Sequence, residues 1–295
     1  MAIKVALLTG ATGFIGGQLT KKLVECGWTV HAIVRPGSDT AELAGHAKVH
    51  LHDGTTQGMI DIVRVAKPEV VFHLASLFLA DHKPDQVEAL VRSNVLFPAQ
   101  LLEAMVQCGV TRLVNTGTGW QHYRGPEYDP VNLYSATKEA FEDIALYYHD
   151  AKKISAITLK LFDTYGRGDP RRKLLAILID AARTGEPLAM SPGDQVIDLT
   201  HVSDVIAAFL IAADRLLATD NSLWESFFVS SDRMTVKQLV ALTGKALGAD
   251  IAASFGGRPY REREVMTLVD TKGRTPPGWS PARDLMEGIA EMAAS

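Results

Sequence analysis

Short apolar segments alternate with longer amphipathic ones over the first 165 residues of the chain. The segments at 70–74 and 154–161 are almost continuously apolar, which is typical of strands buried on both faces of a parallel sheet. This alternation implies right-handed βαβ crossovers, so we predict an α/β protein with a doubly wound parallel sheet. The predicted strands lie at 3–8, 29–34, 48–52, 70–74, 112–115 and 155–161, and the predicted helices at 13–26, 59–66, 86–108 and 133–148.

The regular alternation of strand and helix patterns ends at about residue 165. Beyond it, short strands and turns rich in glycine and proline mix with helices. We therefore predict a first domain at 1–165 and a smaller, mixed part at 166–295 that closes over a ligand, with some segments able to return to the first domain. Helical patterns in this second part lie at 173–184, 202–217, 236–247 and 281–292.

Composition narrows the class of protein. The chain has 295 residues, of which 47% are hydrophobic and 22% charged, as in soluble globular proteins. The net charge of −4 argues against nucleic acid as a partner. There is no apolar run of membrane-spanning length and no leader pattern, and Cys26 and Cys108 imply no disulfide framework. These features predict a cytoplasmic protein without membrane partners. The pair His50 and His52 lacks a third ligand at metal-binding spacing, so we predict no metal site.

A glycine-rich loop follows the first predicted strand and opens the first predicted helix. Gly10 permits a tight turn, Gly13 lets backbone N–H groups approach a pyrophosphate, and Gly16 allows close packing of helix and strand. This is the dinucleotide-binding loop of a Rossmann-type fold, with the anion facing the helix N-terminus. The cofactor contacts predicted here are Gly10, Thr12, Gly13, Phe14, Ile15 and Gly16.

The end of the second predicted strand distinguishes NAD from NADP. NAD sites place an acidic residue there to bind the ribose 2′-hydroxyl, whereas this chain has Val34 followed by Arg35. Arg35 can form charge-assisted hydrogen bonds to a 2′-phosphate, and Ser38 can add another. Asp39 argues the other way, and a surface arginine in a turn is the alternative interpretation. We predict NADP(H) as the cofactor.

Asp53 and Gly54 follow the third predicted strand. Asp53 is placed to accept a hydrogen bond from the adenine amino group, which makes both residues predicted cofactor contacts. An aspartate that merely stabilises a turn explains this position nearly as well.

Tyr134 and Lys138 are four residues apart on a predicted helix, so they share one face. A nearby ammonium favours the phenolate and brings the tyrosine pKa closer to neutral pH, and the same lysine can hold ribose hydroxyls. Thr118 follows a strand at the edge where ligands of parallel sheets bind, and its hydroxyl can donate to a substrate oxygen. The spacing recurs at Tyr148 and Lys152, which we interpret as a solvated helix end.

In these features the chain resembles the extended short-chain dehydrogenases/reductases, the group of nucleotide-sugar epimerases, dehydratases and reductases. The resemblance extends over nearly the whole chain and implies a homodimer that packs through the helices around 94–108 and 133–148. It also implies that Leu74, Ala75, Ser76, Asn94 and Leu161 lie at the cofactor, together with Tyr134 and Lys138. The matching landmarks are the loop at 7–16, the segment 73–76, Asn94, Thr118, Tyr134 with Lys138, and the segments 159–166, 198–202 and 278–281.

Two departures from the family pattern narrow the expected chemistry. Sugar dehydratases follow the active-site threonine with an acid pair, but Gly119 and Trp120 follow Thr118 here, so dehydration is disfavoured. The family often has an arginine before the aspartate at 198 that grips the nucleotide diphosphate, and Ile197 stands there instead. Possible replacements are Arg171, Arg172, Lys173 and Arg258, and the predicted substrate contacts are Phe78, Thr118, Gly119, Trp120, Asp163, Lys173 and Arg258.

These observations predict an NADPH-dependent reductase acting on the 4-keto group of a nucleotide-linked 4-keto-6-deoxy sugar, in deoxysugar or surface polysaccharide biosynthesis. Tyr134 would give the proton while Lys138 lowers its pKa, and Thr118 would bind the carbonyl oxygen. A nucleotide-sugar 4-epimerase would use the same residues. A catalytically silent NADP-binding sensor protein is the alternative from another class, and the intact catalytic set argues against it.

Overall fold

The computed structural model describes residues 4–219 and 221–294, so Ile3, at the start of the first predicted strand, lies outside the described residues. The strands are β1 (Val5–Thr9), β2 (Thr29–Val34), β3 (Lys48–Leu51), β4 (Val70–His73), β5 (Arg112–Thr118), β6 (Ser155–Leu161), β7 (Asp163–Tyr165), β8 (Leu188–Met190), β9 (Val196–His201), β10 (Trp224–Val229), β11 (Asp232–Thr235) and β12 (Ala253–Phe255). The helices are α1 (Phe14–Glu25), α2 (Thr56–Ala66), α3 (Val87–Val91), α4 (Phe97–Gln107), α5 (Leu133–Lys152), α6 (Leu174–Thr184), α7 (Val202–Leu217), α8 (Val236–Leu247) and α9 (Leu285–Ala293).

Seven strands form one sheet in the order β10-β6-β5-β4-β1-β2-β3, and every pair in it is parallel. Helices α1 and α7 cover one face, where Leu19 and Phe209 are completely buried. Helices α2, α4 and α5 cover the other face, with Met59 and Leu101 in its core. Because apolar helices cover both faces, this is a doubly wound sheet, and the predicted fold class is confirmed.

The predicted helix at 86–108 is interrupted by a π-helical stretch at 92–96. Pro98 has no N–H to donate to the carbonyl of Asn94, so the regular bond between these positions cannot form. The widened turn contains Asn94, whose side chain is buried and hydrogen-bonded to the loop after β4. The interruption therefore comes from the proline and contains a residue that acts near the site.

The last part of the chain forms a smaller mixed unit. β7, β9 and β11 make a three-stranded sheet in which β7 and β9 are parallel and β9 and β11 antiparallel. β8 pairs with β12, and α6, α8 and α9 surround a separate core that includes Leu178, Leu239 and Ile289. Between β9 and β11 the chain returns to the large sheet, because β10 pairs with β6 from Trp224 to Val229. The second half of the chain thus contributes both a small unit and an edge strand of the large sheet.

The predicted helix at 281–292 begins only at Leu285 in the structure. Asp284 stands just before it in an extended conformation, and its carboxylate accepts a hydrogen bond from the N–H of Glu287. This side-chain cap fixes the helix start, which periodicity alone does not locate. No helix in the described residues is long and apolar enough to cross a bilayer.

Candidate active site

A cavity of about 350 Å³ opens at the carboxyl ends of β1, β4, β5 and β6, where the small unit meets the large sheet. This is the edge of a parallel sheet at which ligands bind. The predicted site residues that line it are Gly10, Gly13, Phe14, Ile15, Gly16, Leu74, Ser76, Phe78, Thr118, Trp120, Tyr134, Lys138, Leu161, Asp163 and Lys173. The cavity therefore joins the predicted cofactor loop, the catalytic residues and most of the predicted substrate contacts.

Nine predicted residues, all within the described ranges, lie outside the lining of this cavity. They are Thr12, Arg35, Ser38, Asp53, Gly54, Ala75, Asn94, Gly119 and Arg258. Gly119 is buried against Phe162, and a Cβ on it would lie 2.1 Å from that ring. This close packing explains why Gly119 supports the loop after Thr118 without reaching the cavity.

The glycine loop has no room for side chains at two positions. Gly10 has a φ of +74°, and a Cβ on it would lie 2.6 Å from the backbone nitrogen of Ala75. A Cβ on Gly16 would lie 2.1 Å from the carbonyl oxygen of Gly10. Gly13 is the N-cap of α1, and no side chain in the described structure caps this helix start. The first turn also contains no acidic residue. N–H groups of that turn are therefore available to an anion, so the loop fits a dinucleotide pyrophosphate.

The residues predicted at the adenosine end lie on exposed turns. Arg35 is exposed, and its carbonyl accepts a hydrogen bond from the N–H of Ser38. The carboxylate of Asp53 accepts bonds from the backbone N–H and the hydroxyl of Thr55, each at 2.8 Å, and these bonds lower its pKa. Asp53 thus stabilises the turn that leads into α2, the alternative role considered for it. The following Gly54 has a φ of +87°, as this turn requires.

Asn94 acts behind the nicotinamide end of the predicted cofactor site. It is 1% exposed, and its Oδ1 accepts from the N–H of Leu77 at 2.8 Å. Its Nδ2 donates to the carbonyl of Leu77 and to the hydroxyl of Thr137 on α5, both at 3.0 Å. The Ser76 hydroxyl donates to Asn94 at 3.3 Å. Asn94 therefore fixes the loop after β4 against α5, and Ser76 is the member of this group that lines the cavity.

Thr118 is the last residue of β5 and is buried. Its hydroxyl oxygen accepts from the N–H of Trp120 at 3.3 Å, which leaves the hydroxyl hydrogen to be donated. A donor held in this way can bind an oxygen on which negative charge develops.

Tyr134 and Lys138 are one turn apart near the start of α5. The helix start is set by Asn132, whose side chain accepts from the N–H of Ser135 at 3.0 Å. Both Tyr134 and Lys138 reach the same cavity as Thr118. The second pair with this spacing does not line the cavity, and the Tyr148 hydroxyl donates instead to Glu103 on the neighbouring helix α4.

Burial sets the ionisation of this pair. It raises the pKa of Tyr134 to about 12, and a hydrogen bond with Ser76 and the charge of Arg171 oppose this rise only in part. Burial also lowers the pKa of Lys138 to about 8, while Glu142 opposes this change. The sequence led us to expect that Lys138 would bring the phenol closer to neutral pH. In the structure the cost of burying a phenolate dominates instead, so Tyr134 is protonated and Lys138 mostly charged at pH 7.

An aromatic wall stands beside the catalytic tyrosine. The ring of Phe78 meets that of Tyr134 edge-on, with centroids 4.9 Å apart, and the Trp120 ring lies 5.6 Å from Phe78. The guanidinium of Arg261 lies 5.4 Å from the centre of the Trp120 ring. The cavity thus offers an apolar surface beside Tyr134 and a cation just beyond it.

Several residues that line this cavity were not predicted from the sequence, and the predicted substrate contact Arg258 does not line it. Arg258 is exposed, and its backbone N–H donates to the carbonyl of Met190, the last residue of β8. Arg261 lines the cavity in its place, held by a two-fold bond to Glu264. The run of basic and acidic residues after position 257 was a sequence feature that could have indicated a cation at the site. The direction of the loop decides which of these cations faces the cavity. Arg171, which the sequence offered as a cation for the diphosphate, also lines the cavity. The other lining residues that were not predicted as contacts are Thr116, Gly117, Phe162, Thr164, Val196, Ile197, Asp198, Val265 and Leu268.

Two predicted substrate contacts, Asp163 and Lys173, pair with each other at 3.0 Å in this cavity. Arg171 is bound by Asp169 through both of its carboxylate oxygens. Asp198 has a structural role, because it is 1% exposed and accepts bonds from Ser230, Ser231 and Arg233. The described residues contain no group of three or more His, Cys, Asp or Glu side chains placed to hold a metal ion.

A glycine cradle for a dinucleotide beside a helix bearing tyrosine and lysine defines the class of NAD(P)-dependent short-chain dehydrogenases/reductases. Within that class, the chain belongs to the NAD dependent epimerase/dehydratase family, whose model matches residues 6–222. The resemblance predicted from the sequence is confirmed.

Members of this family align with the chain over nearly its full length. CDP-abequose synthase of Yersinia pseudotuberculosis is 28% identical over 88% of this chain and 90% of its own. UDP-glucose 4-epimerase of Mycolicibacterium smegmatis is 27% identical over 97% of this chain and 96% of its own. The structure of MoeE5 in complex with UDP-glucose and NAD matches with a TM-score of 0.84 and 27% identity, covering 98% of this chain and 97% of that one.

Proposed function

We propose that this protein uses NADPH to reduce the 4-keto group of a nucleotide-linked 4-keto-6-deoxy sugar in deoxysugar biosynthesis. The observation that carries the proposal is the meeting of Thr118, Tyr134 and Lys138 with the glycine loop in one cavity. The relatives named CDP-abequose synthase support a product linked to a nucleotide diphosphate.

The side chains supply the proton part of the reaction. When bound, the cofactor supplies a hydride for the carbonyl carbon. The Thr118 hydroxyl donates a hydrogen bond to the carbonyl oxygen, and Tyr134 gives that oxygen its proton. The raised pKa of Tyr134 suits this direction, because reduction starts from the protonated phenol. Lys138, charged at neutral pH, stabilises the phenolate that remains.

The choice of NADPH rests on the turn after β2. Arg35 is exposed there, and its guanidinium is free to reach a 2′-phosphate by charge-assisted bonds. Gly10, Gly13 and Gly16 would hold the pyrophosphate, and Lys138 the ribose next to the nicotinamide.

Three cationic side chains of the cavity bind the nucleotide diphosphate in place of the arginine that Ile197 replaces. They are Arg171, Lys173 and Arg261. Each is partly neutralised by a carboxylate within its own segment, namely Asp169, Asp163 and Glu264. A doubly charged diphosphate would compete for these cations, so substrate binding would exchange internal ion pairs for ion pairs with the ligand.

Exposed apolar side chains support a homodimer. Val87, Val91 and Leu96 on α3 and the turn after it, with Leu146 and Tyr147 on α5, are each at least 37% exposed. Burying such a patch against a second copy would remove apolar surface from water. Light scattering during size-exclusion chromatography tests this, and Tyr147→Glu should convert a dimer of 64 kDa, twice the chain mass of 32.0 kDa, into monomer.

The assay mixes purified protein with NADPH and a panel of 4-keto-6-deoxy sugar nucleotides and follows absorbance at the nicotinamide wavelength. We expect cofactor oxidation with at least one of them, and a Tyr134→Phe variant should lose about 10²–10⁴-fold in kcat while still binding NADPH. If no sugar of this panel consumes NADPH, the proposed reaction is wrong.

A 4-epimerase is the second candidate, favoured by the UDP-glucose 4-epimerase relatives and by solved relatives that hold NAD. It would interconvert nucleotide sugars without net consumption of cofactor. Mass spectrometry of the small molecules released from the native protein separates the two, because tightly retained NAD favours epimerisation.

A further inference from the structure

A chain of buried polar side chains lies directly behind the cavity, between the end of β5 and the helix α5. Gln121 is completely buried, and its Oε1 accepts the N–H of Thr118 at 2.8 Å. Its Nε2 donates to Glu142 Oε1 at 2.8 Å and also to Glu139. Both carboxylates belong to α5, the helix that carries Tyr134 and Lys138. One side chain thus connects the two elements that supply the catalytic residues.

Glu142 is itself held in place from the neighbouring strand. The Lys160 ammonium on β6 lies 3.7 Å from Glu142 Oε2 and 2.9 Å from His122 Nε2, and the side chains of this ion pair are only 8% and 11% exposed. Nδ1 of His122 lies 3.1 Å from the carbonyl of Glu127 and so carries the ring hydrogen. Nε2 therefore accepts from Lys160. Burial lowers the pKa of His122, and the charges of Lys160 and Arg274 act in the same direction, so the ring is neutral.

The space around this connection is full. A Cβ on Gly117 would lie 2.9 Å from Glu142 Oε1, 3.0 Å from Gln121 Oε1 and 2.9 Å from a methyl carbon of Thr158. A side chain at position 117 would therefore displace the ends of the Gln121, Glu142 or Thr158 side chains.

We infer that Gln121 is a positioning residue, which fixes Thr118 against the helix of Tyr134 and Lys138 through its bonds to Glu142 and Glu139. The inference rests on the proposed function, since it concerns the same three catalytic residues. Thr118 and Tyr134 must reach one carbonyl oxygen from different elements, and a displacement of about 1 Å at such a site costs on the order of 10²-fold in rate. The amide is suited to this task because it accepts from the strand and donates to the helix at the same time.

The decisive variant is Gln121→Glu, which keeps the side-chain shape and the oxygen that accepts from the Thr118 N–H. It replaces the Nε2 donor by a carboxylate oxygen that faces Glu139 and Glu142. When the introduced carboxyl is ionised, it repels both glutamates, and when protonated it donates to one of them again. We expect kcat relative to the unmodified protein to fall at least about tenfold at pH 8 and to recover to within about threefold at pH 6, with KM for the nucleotide sugar within about twofold. The other titratable groups that face this cluster are Lys138, Lys160, His122 and Tyr128, which is why kcat is compared with that of the unmodified protein at each pH.

Two controls separate positioning from general loss of stability. Gln195→Glu changes another buried glutamine, whose amide donates to Ser191, and its kcat should follow the pH dependence of the unmodified protein. Gln121→Met removes all three hydrogen bonds of the amide and should lower kcat at every pH. It should also accelerate hydrogen exchange of the Thr118 amide by about tenfold or more, since that N–H loses its acceptor.

A Gln121→Glu variant whose kcat runs parallel to that of the unmodified protein from pH 6 to 8 would overturn the inference, as would unchanged exchange of the Thr118 amide in Gln121→Met. If the unmodified protein turns over none of the 4-keto sugars, the proposed reaction fails instead. The exchange measurement needs no substrate and decides the positioning role in either case. If Gln121→Glu does not fold, the Gln121→Met exchange and kcat measurements carry the test.

Discussion

The charge on Lys138 predicts how the rate depends on pH. Burial lowers the pKa of this lysine from 10.5 to about 8, so the charged side chain is about nine-tenths populated at pH 7 and about one-tenth at pH 9. If the ammonium stabilises the phenolate of Tyr134, kcat for reduction should fall about tenfold between these pH values. The change occurs far below the titration range of an exposed lysine, which makes it diagnostic of the buried site.

The lowered pKa of Lys138 also affects how the stability of the fold depends on pH. Because the folded protein holds the proton of Lys138 less tightly than the unfolded chain, the unfolded chain binds more protons between pH 8 and 10.5. Burial of this lysine therefore costs up to about 3 kcal/mol of folding stability below pH 8, and this cost disappears as pH rises from 8 to 10.5. Activity and this contribution to stability should consequently change in opposite directions with pH.

Steady-state rates at saturating substrate and NADPH, measured from pH 6.5 to 9.5, test the first effect. The matched control is Lys138→Arg, because a guanidinium stays charged over this range. We expect a lower but flatter kcat profile from it. A rate for the unmodified protein that stays constant to pH 9.5, or an arginine variant with the same alkaline decline, would refute the reasoning.

Three further predictions concern binding and packing. Arg35→Ala should weaken NADPH binding by about 10–100-fold and leave NADH binding unchanged, because only NADPH loses a charged hydrogen bond; fluorescence titration with both cofactors measures this. Gly16→Ala should destabilise the fold by about 1–3 kcal/mol and abolish cofactor binding, since its Cβ would lie 2.1 Å from the carbonyl oxygen of Gly10. Thermal melting with and without NADPH measures both effects. The control Gly27→Ala, at a position with open space but a φ of +83°, separates crowding from backbone strain. Arg261→Ala should raise KM for the nucleotide sugar about tenfold with kcat unchanged, whereas Arg258→Ala, outside the cavity, should alter neither in initial-rate measurements.

The central sheet was predictable because its strands are apolar and its helices periodic over many residues. The glycine loop and the tyrosine–lysine pair were also predictable, since their chemistry depends on short spacings along one element. The interruption of the predicted helix at 86–108 was not predicted, although Pro98, which causes it, is visible in the sequence; the bond from Asn94 to Thr137 on α5 is a tertiary contact that the sequence does not reveal. Strands β7, β8 and β12 have three residues each, too few to display a period.

The remaining details of the site depend on tertiary packing. The raised pKa of Tyr134 comes from burial beneath Phe78 and its neighbours, which a four-residue spacing does not reveal. The choice between Arg258 and Arg261 depends on the direction in which a loop leaves β12. Gln121 contacts α5 across residues distant in the chain, so nothing in its local sequence indicates that it joins the two catalytic elements.

The return of β10 to the large sheet has a consequence for how the molecule comes apart. A fragment cut after residue 165 would leave the outer hydrogen-bonding edge of β6 bare, and β6 is the strand that carries Lys160. Its missing neighbour ends at Val229, immediately before Ser230, whose hydroxyl is bonded to Asp198 in the small sheet. Unfolding of the later half would thus remove β10 and expose the edge of the strand that carries Lys160. Proteolysis in the later half should therefore cause aggregation, rather than release of a stable cofactor-binding remnant.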